Sequence, residues 1–423
     1  MVVTEAQARR AVRRADLEWA PEVKDPRAEK GQRHAHHGML SLLVAAFACG
    51  HIHLRRVENL SSDLGRGARR RLDIPQRISD TALYQLLSRQ EVIGFRETVW
   101  GQVRELIDQR ALENDLFELG VLSVDGKCCW KSTSTQVEGA KTSVDPNTGV
   151  VTSSFTALRG VLTSSSARPC LDMELIAEKS GEAPAFRQLL PRACQSFGGQ
   201  FRIVTGDAGL TCRENAQVVM EQGKHYLFGL KGNHPHLHQL AEDAFTGCPG
   251  PARAHTSERR NGSTLFRELH VLNVEGAPEV NFPGMVELWR VKQSTVPDGS
   301  ARGGTTEVRY FVSSMPSSLL TPTQKLALVR LHWGIENGHN WTVDVALAED
   351  DVQPCQANRD AIEVIAWLRV LAYNLLATWR VRGSKKDQQP LPWSRAMELL
   401  RDALLIARPE QSATPAEQFV TPA

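Results

Sequence analysis

Between residues 118 and 230, short apolar runs typical of buried strands alternate with stretches of helical periodicity. Strands that alternate with helices pack as a sheet covered by helices, so this feature restricts the chain to the α/β class. The strand candidates are Glu118–Lys127, Val150–Leu162, Leu171–Glu178, Phe201–Thr205 and His225–Leu230. The helical stretches between them are Ala183–Ser196 and Arg213–Gln222.

The regions on either side of this segment differ from it in composition and periodicity. A chain of 423 residues has room for more than one domain. Residues 1–115 have helical patterns, whereas the region after residue 248 has short alternating segments rich in Gly, Pro, Arg and Thr. We predict a helical N-terminal domain over 1–115, an α/β core over 116–247 and 316–385, a β-rich insertion outside the central sheet over 248–315, and a flexible tail over 386–423.

The second part of the core is predicted to begin with a capped helix. Thr321 can act as the N-cap, Pro322 as the first helical residue and Gln324 as the capping-box partner. Glu336 is expected on this helix or on its direct continuation, and a further apolar helix is predicted from Asn358 to about Val381.

Positive charge is concentrated near the start of the chain. Residues 1–80 contain fifteen Lys and Arg against ten Asp and Glu, although the net charge of the whole chain is only +2. Such basic runs attract the phosphate backbone of nucleic acids, so we expect the N-terminal region to bind duplex DNA, although a solvated helix face has the same composition. The densest runs are Arg9, Arg10, Arg13 and Arg14, followed by Arg66, Arg69, Arg70 and Arg71.

Other sequence features argue against several classes of protein. The eight cysteines show no CxxC spacing, which indicates reduced thiols, and the first thirty residues are too charged for a signal peptide. Charged and polar residues interrupt the apolar stretch Ala361–Trp379, so we expect a cytoplasmic protein without a membrane segment. No Walker A loop occurs, so no ATP is expected, and the HExxH motif of zinc hydrolases is absent.

Two aspartates are candidates for metal-dependent chemistry. Asp125 and Asp207 each end an apolar strand candidate, and a glycine follows each within two residues, which leaves room for a substrate backbone. Cleavage of a phosphodiester with two divalent ions requires several converging carboxylates. Taken singly, an aspartate after a strand is more often a turn residue or a helix cap, and only the similar placement of the two supports a joint functional role.

Glu336 is the candidate third acid, 129 positions after Asp207. It lies in a segment with two Trp, two His and an Arg, and His332, Glu336 and Asn340 share one helical stripe at i, i+4 and i+8. Trp289 could stack on an unpaired base, although a buried ring is the commoner state of a tryptophan.

Four segments occur in an order that is specific when taken together. They are Ser123-Val-Asp125-Gly-Lys127, Thr205-Gly-Asp207-Ala208, Tyr226-Leu-Phe-Gly-Leu-Lys231-Gly-Asn233 and His332-Trp-Gly-Ile-Glu336-Asn with Asp344 and Glu349-Asp350. In this order they resemble the DDE transposases of bacterial insertion sequences, in particular the branch of the H-repeat-associated proteins. Parts of the N-terminal region, Asp25-Pro-Arg27 with His34 and Ser79–Leu83, are similar to the helical domain of that branch, so the resemblance covers about residues 22–380.

The resemblance implies a ribonuclease H-like core that binds two Mg²⁺ ions, or Mn²⁺, through Asp125, Asp207 and Glu336. Related branches place Arg four residues before the glutamate and Lys seven after it, where this chain has His332 and Val343. DNA contacts are expected from residues near the acids: Lys231, Asn233, Arg330, His332 and Asn340. For Lys231 and Asn233 an ordinary polar turn is the alternative.

The implied function is cleavage of DNA at the terminal inverted repeats of an insertion sequence and strand transfer to target DNA. The expected setting is a bacterial, nucleoid-associated protein that works as a homodimer or higher oligomer on duplex DNA. Two alternatives remain: a transposase-derived DNA-binding protein without catalysis, and a DNA nuclease that does not transpose. The presence of all three acids argues against the first alternative.

Overall fold

The computed structural model describes residues 23–176, 180–247, 250, 252–277, 279–298, 304–349, 358–382 and 389–405. Ten strands in these residues form one sheet. The strands are β1 (Val121–Ser132), β2 (Lys141–Val144), β3 (Val151–Leu162), β4 (Cys170–Leu175), β5 (Ile203–Gly206), β6 (His225–Leu230), β7 (Ala254–Arg260), β8 (Ser263–Asn273), β9 (Glu287–Pro297) and β10 (Thr305–Ser313).

Helices precede, interrupt and follow the strands. Before β1 lie α1 (His36–Ala48), α2 (Leu54–Asp63), α3 (Arg66–Arg71), α4 (Asp80–Leu87) and α5 (Phe95–Asp108). Among the strands lie α6 (Glu182–Phe197), α7 (Arg213–Glu221) and α8 (Pro235–Gly247). After β10 come α9 (Pro322–Gly334), a π-helical segment (Ile335–Asn340), α10 (Trp341–Val345), α11 (Arg359–Arg382) and α12 (Trp393–Leu405).

The centre of the sheet has both strand directions. β1 pairs antiparallel with β3 and parallel with β5, and β6 continues the parallel part beside β5. On the other side, β3 also pairs antiparallel with β2 and with β4. Helix α6 precedes β5 and α7 connects β5 to β6, as parallel neighbours require a crossover. The chain therefore has the mixed α/β architecture that the alternating sequence pattern predicts.

Alternate residues of the central strands pack into two hydrophobic cores. Leu122 and Val124 join a large core, whereas Val121 faces a smaller one; Val204 and Ile203 on β5 divide in the same way. This period of two is the geometry of a strand that is covered on both faces. The smaller core includes residues of α9, so the sheet separates α9 from the larger helical layer.

The region predicted as a β-rich insertion is indeed formed by antiparallel strands, β7 to β10. It does not stand apart from the central sheet, however. Tyr310–Ser313 of β10 pair antiparallel with Leu227–Leu230 of β6, so the sheet order is β2-β3-β1-β5-β6-β10-β9-β8-β7. The prediction of an insertion outside the central sheet is therefore wrong, because β6 offers a free edge that β10 occupies.

The helices before β1 share a core with the end of the chain. Helix α1 is buried along almost its whole length and packs against α11, and the Gln102 side chain on α5 donates a hydrogen bond to the Leu371 carbonyl at 3.0 Å. A domain boundary near residue 115 stays a prediction. The arginines between residues 9 and 14 lie outside the described residues.

Helix α11 is long and apolar enough to cross a membrane by length and composition, but 94% of its most apolar window is buried inside the protein. It is the central core helix of the fold. The predicted flexible tail is wrong over Trp393–Leu405, which forms α12 with Ala396, Leu400 and Leu404 buried. An apolar stripe on α12 packs against the fold and orders this part of the chain. The rest of the predicted tail, apart from residues 389–392, lies outside the described residues.

Candidate active site

Asp125 and Asp207 lie side by side where β5 ends next to β1, with Asp125 inside β1 and Asp207 directly after β5. β1 and β5 run parallel, and their paired register ends with Val124 beside Gly206. Asp125 follows Val124 and Asp207 follows Gly206, so both side chains lie at the same end of the β1–β5 pairing. β5 ends at Gly206 while β1 continues to Ser132, which leaves the β5 side of β1 open from Asp125 onward.

Each aspartate is oriented by hydrogen bonds. Asp125 Oδ1 accepts the Gly126 backbone N–H at 3.0 Å, and Asp125 Oδ2 accepts Nδ2 of Asn340 at 2.7 Å. Asp207 Oδ1 accepts the backbone N–H groups of Gly209 and Leu210 at 2.9 and 3.3 Å. These donors hold the carboxylates in place without supplying a positive charge.

Glu336 reaches the same region from the π-helical segment that follows α9. The capping box at Thr321 and Gln324 starts α9 as the sequence predicts. The helix then widens to π geometry at Ile335, a change frequent at functional sites. The guanidinium of Arg168 lies against this segment, and a side chain at Gly338 would collide with it. The Glu336 side chain is exposed.

A cavity of about 400 Å³ lies beside the acids, between β6, β10 and α9. Asp207 and Glu336 form part of its wall, and Lys231 and Arg309 contribute positive charge to the same wall. The Arg309 guanidinium lies 4.6 Å from the ring centroid of Trp333, a cation–π distance. Carboxylate groups and cationic side chains therefore line the same small cavity.

The electrostatics of Asp125 show that the acids lie near one another. Burial, followed by the negative charges of Asp207, Glu182 and Glu336, raises the pKa of Asp125 to about 7. Like charges act in this way only at short range. The ionised site is therefore strained by repulsion that a cation would relieve.

Glu182 is a site residue that the sequence reasoning missed. It lies in the first turn of α6, and both burial and the charge of Asp207 raise the pKa of its carboxyl group. An acid in the first turn of a helix is ordinary, because it complements the helix dipole. The position therefore gives no signal in one sequence, and only the packing of α6 on the sheet reveals it.

The donor set fits a hard divalent cation, although no three His, Cys, Asp or Glu side chains among the described residues are close enough to hold one as placed. Carboxylate oxygens are the ligands that Mg²⁺ prefers. In addition, Asn340 Oδ1 is buried at the site without a hydrogen-bond partner in the described part of the chain. Binding of an ion requires the carboxylates to draw together around it.

His332 was predicted to contact DNA, and its placement corrects that prediction. The side chain is 4% exposed, so it has almost no surface to offer DNA. Its Nδ1 lies 3.1 Å from Thr205 Oγ1, and Thr205 Oγ1 donates to Ser123 Oγ at 2.8 Å. Burial lowers the pKa of His332 to about 4, so the ring is neutral and ties α9 to β5 and β1.

Asn340 also departs from its predicted role. It is buried, and its amide is occupied by Asp125, so it positions a site carboxylate and does not face DNA. Of the other predicted DNA contacts, Lys231 is exposed in the cavity wall and Arg330 pairs with Glu258 at 2.9 Å. Asn233 donates to the Ala208 carbonyl at 2.7 Å, which joins the loops that follow β5 and β6.

Two further residues named in the sequence analysis have structural roles. Glu349, an acid of the same matching segment as Glu336, is buried in a two-contact ion pair with Arg159 at 2.6 and 2.8 Å, so it is not free to bind a metal. Asp350 and Asp351 lie outside the described residues. Trp289 is fully buried and donates to Glu287 at 2.7 Å, which is the alternative to base stacking.

Comparison with protein-family models places this site in a known family. The model of the transposase DDE domain matches residues 132–375, more than half of the chain. Asp207 and Glu336 lie within the matched segment, and Asp125 lies seven residues before it.

The chain is also similar to curated relatives and, more distantly, to a solved structure. YbfL and the "H repeat-associated putative transposase YhhI" of Escherichia coli (strain K12) are each 28% identical over 214 residues, 48% of this chain and 54% of theirs. YncI of Escherichia coli O157:H7 is 27% identical over 50% of this chain and 54% of its own. The match thus spans about half the length of these relatives. A cryo-EM structure of a piggyBac transposase synaptic complex with hairpin DNA aligns at 11% identity and a TM-score of 0.43, over 96% of this chain and 80% of that one.

Proposed function

The chain belongs to the transposase DDE-domain family, and we propose that it cleaves DNA at the terminal inverted repeats of an insertion sequence and joins the ends to target DNA. Asp125, Asp207 and Glu336 are the proposed catalytic acids. Their proposed cofactor is a pair of Mg²⁺ ions, for which Mn²⁺ can substitute.

One observation supports this proposal above the others. Asp125 and Asp207 follow the last paired residues of two parallel neighbouring strands, and the charge of Glu336 acts on Asp125 from a distant part of the chain. A fold has no structural need for like charges gathered in this way, whereas metal-dependent cleavage of phosphodiesters does need them.

We also propose that β4-β3-β1-β5-β6 forms a ribonuclease H-like core. The antiparallel pairs β4–β3 and β3–β1, followed by the parallel pairs β1–β5 and β5–β6, support this proposal. In this arrangement the two aspartates lie on adjacent central strands and the glutamate on a late helical segment, as the resemblance implies. β7 to β10 then extend this core from its β6 edge.

The chain's own residues hold and orient the proposed site. Bound divalent cations would stabilise the attacking and leaving oxygens of the phosphodiester. Asn340 orients Asp125 through its Nδ2 donor, and backbone N–H groups orient Asp207. The neutral ring of His332 joins α9 to the strands beneath the acids.

DNA is proposed to approach across the cavity, where Lys231 and Arg309 can neutralise backbone phosphates. Helix α3 offers a second basic surface: Arg70 is exposed, whereas Arg69 is occupied by the carbonyl groups of Ser61 and Ser62. We further propose that the protein acts as a homodimer or higher oligomer on the DNA, without ATP.

The test is cleavage of duplexes that contain the terminal repeats flanking the coding sequence, with Mg²⁺, Mn²⁺ or EDTA. Asp125→Asn, Asp207→Asn and Glu336→Gln should each lower the cleavage rate by about three orders of magnitude or more. DNA binding in a gel-shift assay at constant salt should change little, since the acids act on the cations.

Glu307→Gln is the matched control. Glu307 is a glutamate in the wall of the same cavity, but it lies on β10 and pairs with Arg309. Normal cleavage by Glu307→Gln together with loss in Glu336→Gln supports the assignment. Normal cleavage by all three acid variants would overturn it.

A further inference from the structure

The Glu182 carboxylate lies close to Gly126 and Gly209, the glycines that follow the two aspartates. A β-carbon at Gly126, next to Asp125, would collide with Glu182 Oε1. A β-carbon at Gly209 would lie 3.4 Å from Glu182 Oε2 and 3.1 Å from Asp207 Oδ1. The side chain therefore extends from α6 across the open edge of β1 and ends beside both strands.

A helix-end role alone does not account for this placement. Glu214 has that role on the neighbouring helix α7, where it is exposed to solvent in the first turn. Glu182 is instead half buried and close to like charges, with no hydrogen bond or ion pair to the residues that the structure describes. The charge of Lys141 acts on this carboxylate, but the repulsion from Asp207 outweighs it.

A second feature of the site also indicates a missing ligand. Asn340 is 8% exposed, and its Nδ2 binds Asp125 while its Oδ1 has no partner in the described part of the chain. A buried amide oxygen without a donor is costly unless a water or an ion satisfies it. The glutamate and the amide approach Asp125 from different elements, α6 and the π-helical segment.

We propose that Glu182 is a fourth carboxylate ligand of the divalent-cation site, on the side of Asp125 and Asp207 that faces α6. This inference rests on the proposed function. It makes Gly126 a required residue as well, since any side chain there displaces the glutamate.

Metal binding tests the inference directly, apart from cleavage. Binding of Mn²⁺ to the full chain is measured by titration calorimetry for the wild type, Glu182→Gln and the matched control Glu214→Gln. We expect Glu182→Gln to weaken binding about tenfold or more, because affinity depends on the number of charged ligands. Glu214→Gln should bind as the wild type does.

The number of waters bound to the metal ion shows whether Glu182 coordinates the ion or only acts on it through its charge. With Eu³⁺ as a luminescent probe, lifetimes in H₂O and D₂O give the number of waters on the ion. Loss of a carboxylate ligand should add about one water in Glu182→Gln and none in Glu214→Gln. If affinity falls but the count stays the same, Glu182 acts only through its charge and the inference is overturned.

Gly126→Ala tests the same point with Glu182 intact, and it replaces Glu182→Gln if that variant does not fold. It should weaken Mn²⁺ binding as Glu182→Gln does, and wild-type affinity in either folded variant would overturn the inference. Asp125→Asn and Asp207→Asn distinguish the two proposals. If they abolish Mn²⁺ binding while Glu182→Gln does not, only the fourth ligand fails; if they also bind normally, the proposed function fails.

Discussion

Two groups of acids in this protein differ in how their charge is neutralised. Away from the site, buried acids have a cation of their own: Glu349 pairs with Arg159, and Glu287 pairs with Lys325 at 2.6 Å. Where β5 ends beside β1, Asp125 and Asp207 have hydrogen-bond donors but no ion pair within the described residues. The charges that act on Asp125 are those of other acids.

The comparison separates structural from functional charge. Asp172 is fully buried, and burial raises its pKa to about 6 although Arg96 and Arg192 act to lower it. For Asp125 the charged neighbours and burial act in the same direction. The protein therefore neutralises an acid itself where the charge holds the fold together, and leaves the charge to a cation where chemistry is proposed.

Removing the acid of a buried ion pair should have the largest effect on stability. Glu349→Gln leaves the Arg159 guanidinium buried without its counter-charge, so it should lower the free energy of unfolding by about 3–5 kcal/mol. Urea unfolding followed by circular dichroism measures this change.

The double variant Arg159→Met, Glu349→Leu is the control for this prediction. It removes both charges from the same place, so it should recover most of the lost stability. A Glu349→Gln protein as stable as the wild type would mean that the ion pair is not structural.

The neutral network beneath the site should give a smaller loss. Thr205→Val keeps the shape of the side chain but removes the hydroxyl between His332 and Ser123. Ser123 keeps its hydrogen bond with Thr163 at 2.7 Å, but the buried His332 ring nitrogen loses its partner, which should cost about 2 kcal/mol. Thr205→Ser, which keeps the hydroxyl, should cost less; equal losses would assign the effect to packing and not to hydrogen bonding.

Removing an acid of the site, which has no ion pair among the described residues, should raise the free energy of unfolding instead of lowering it. Without metal at pH 8, Asp125→Asn removes the repulsion between ionised carboxylates. It should raise the free energy of unfolding by about 1 kcal/mol, because solvent screening of a partly exposed group keeps the gain small. The measurement is urea unfolding in EDTA. A loss of stability comparable to that of Glu349→Gln would remove the distinction between the two groups of acids.

The pH dependence follows from the same shift. The pKa of Asp125 is about 7 in the folded protein against 3.8 for an ordinary aspartate, so the folded state binds the proton more tightly. Metal-free stability should therefore fall as pH rises from about 4 to 7 and level off above it. Asp172 contributes a slope of the same sign, so the difference between wild type and Asp125→Asn isolates Asp125.

Mg²⁺ should act with the opposite pH dependence, because it binds the ionised site. The stabilisation by Mg²⁺ should grow as pH rises through 7 in the wild type and be absent in Asp125→Asn. Thermal unfolding at several pH values, with and without Mg²⁺, measures this. Equal Mg²⁺ stabilisation at pH 5 and pH 8 would contradict the account.

The smallest effect is expected from an exposed pair. Arg330 pairs with Glu258 at the surface, so Arg330→Ala should change stability by less than about 0.5 kcal/mol. If Arg330 also contacts DNA, the variant should weaken binding at low salt and reduce the salt dependence. An unchanged salt slope would remove Arg330 from the predicted DNA contacts.

The sequence indicates the two aspartates and the third acid because each has a local signal. An apolar run that ends in an acid and a glycine predicts a strand end, which is right for β5 but wrong for β1, because β1 continues past Asp125 to Ser132. A polar cluster marks Glu336. Glu182 has no such signal, since its role depends on how α6 packs against β1. The pairing of β10 with β6 likewise depends on a strand edge whose paired residues lie 80 to 86 positions earlier in the chain.

The helical stripe of His332, Glu336 and Asn340 shows where periodicity fails. The prediction assumes one continuous α-helix with 3.6 residues per turn. The π-helical segment from Ile335 changes the rotation per residue, so Glu336 is exposed while His332 and Asn340 are buried. A single sequence gives no direct sign of this change.

The central claim is that the unpaired acids hold a divalent cation during DNA cleavage, and a change of metal preference tests it most directly. Asp207→Cys places a softer ligand at the site, which Mn²⁺ accepts better than Mg²⁺. The account predicts that this variant cleaves terminal-repeat DNA poorly with Mg²⁺ and recovers substantially with Mn²⁺, while Asp207→Ala recovers with neither. Recovery with Mn²⁺ no greater for Asp207→Cys than for Asp207→Ala would contradict it.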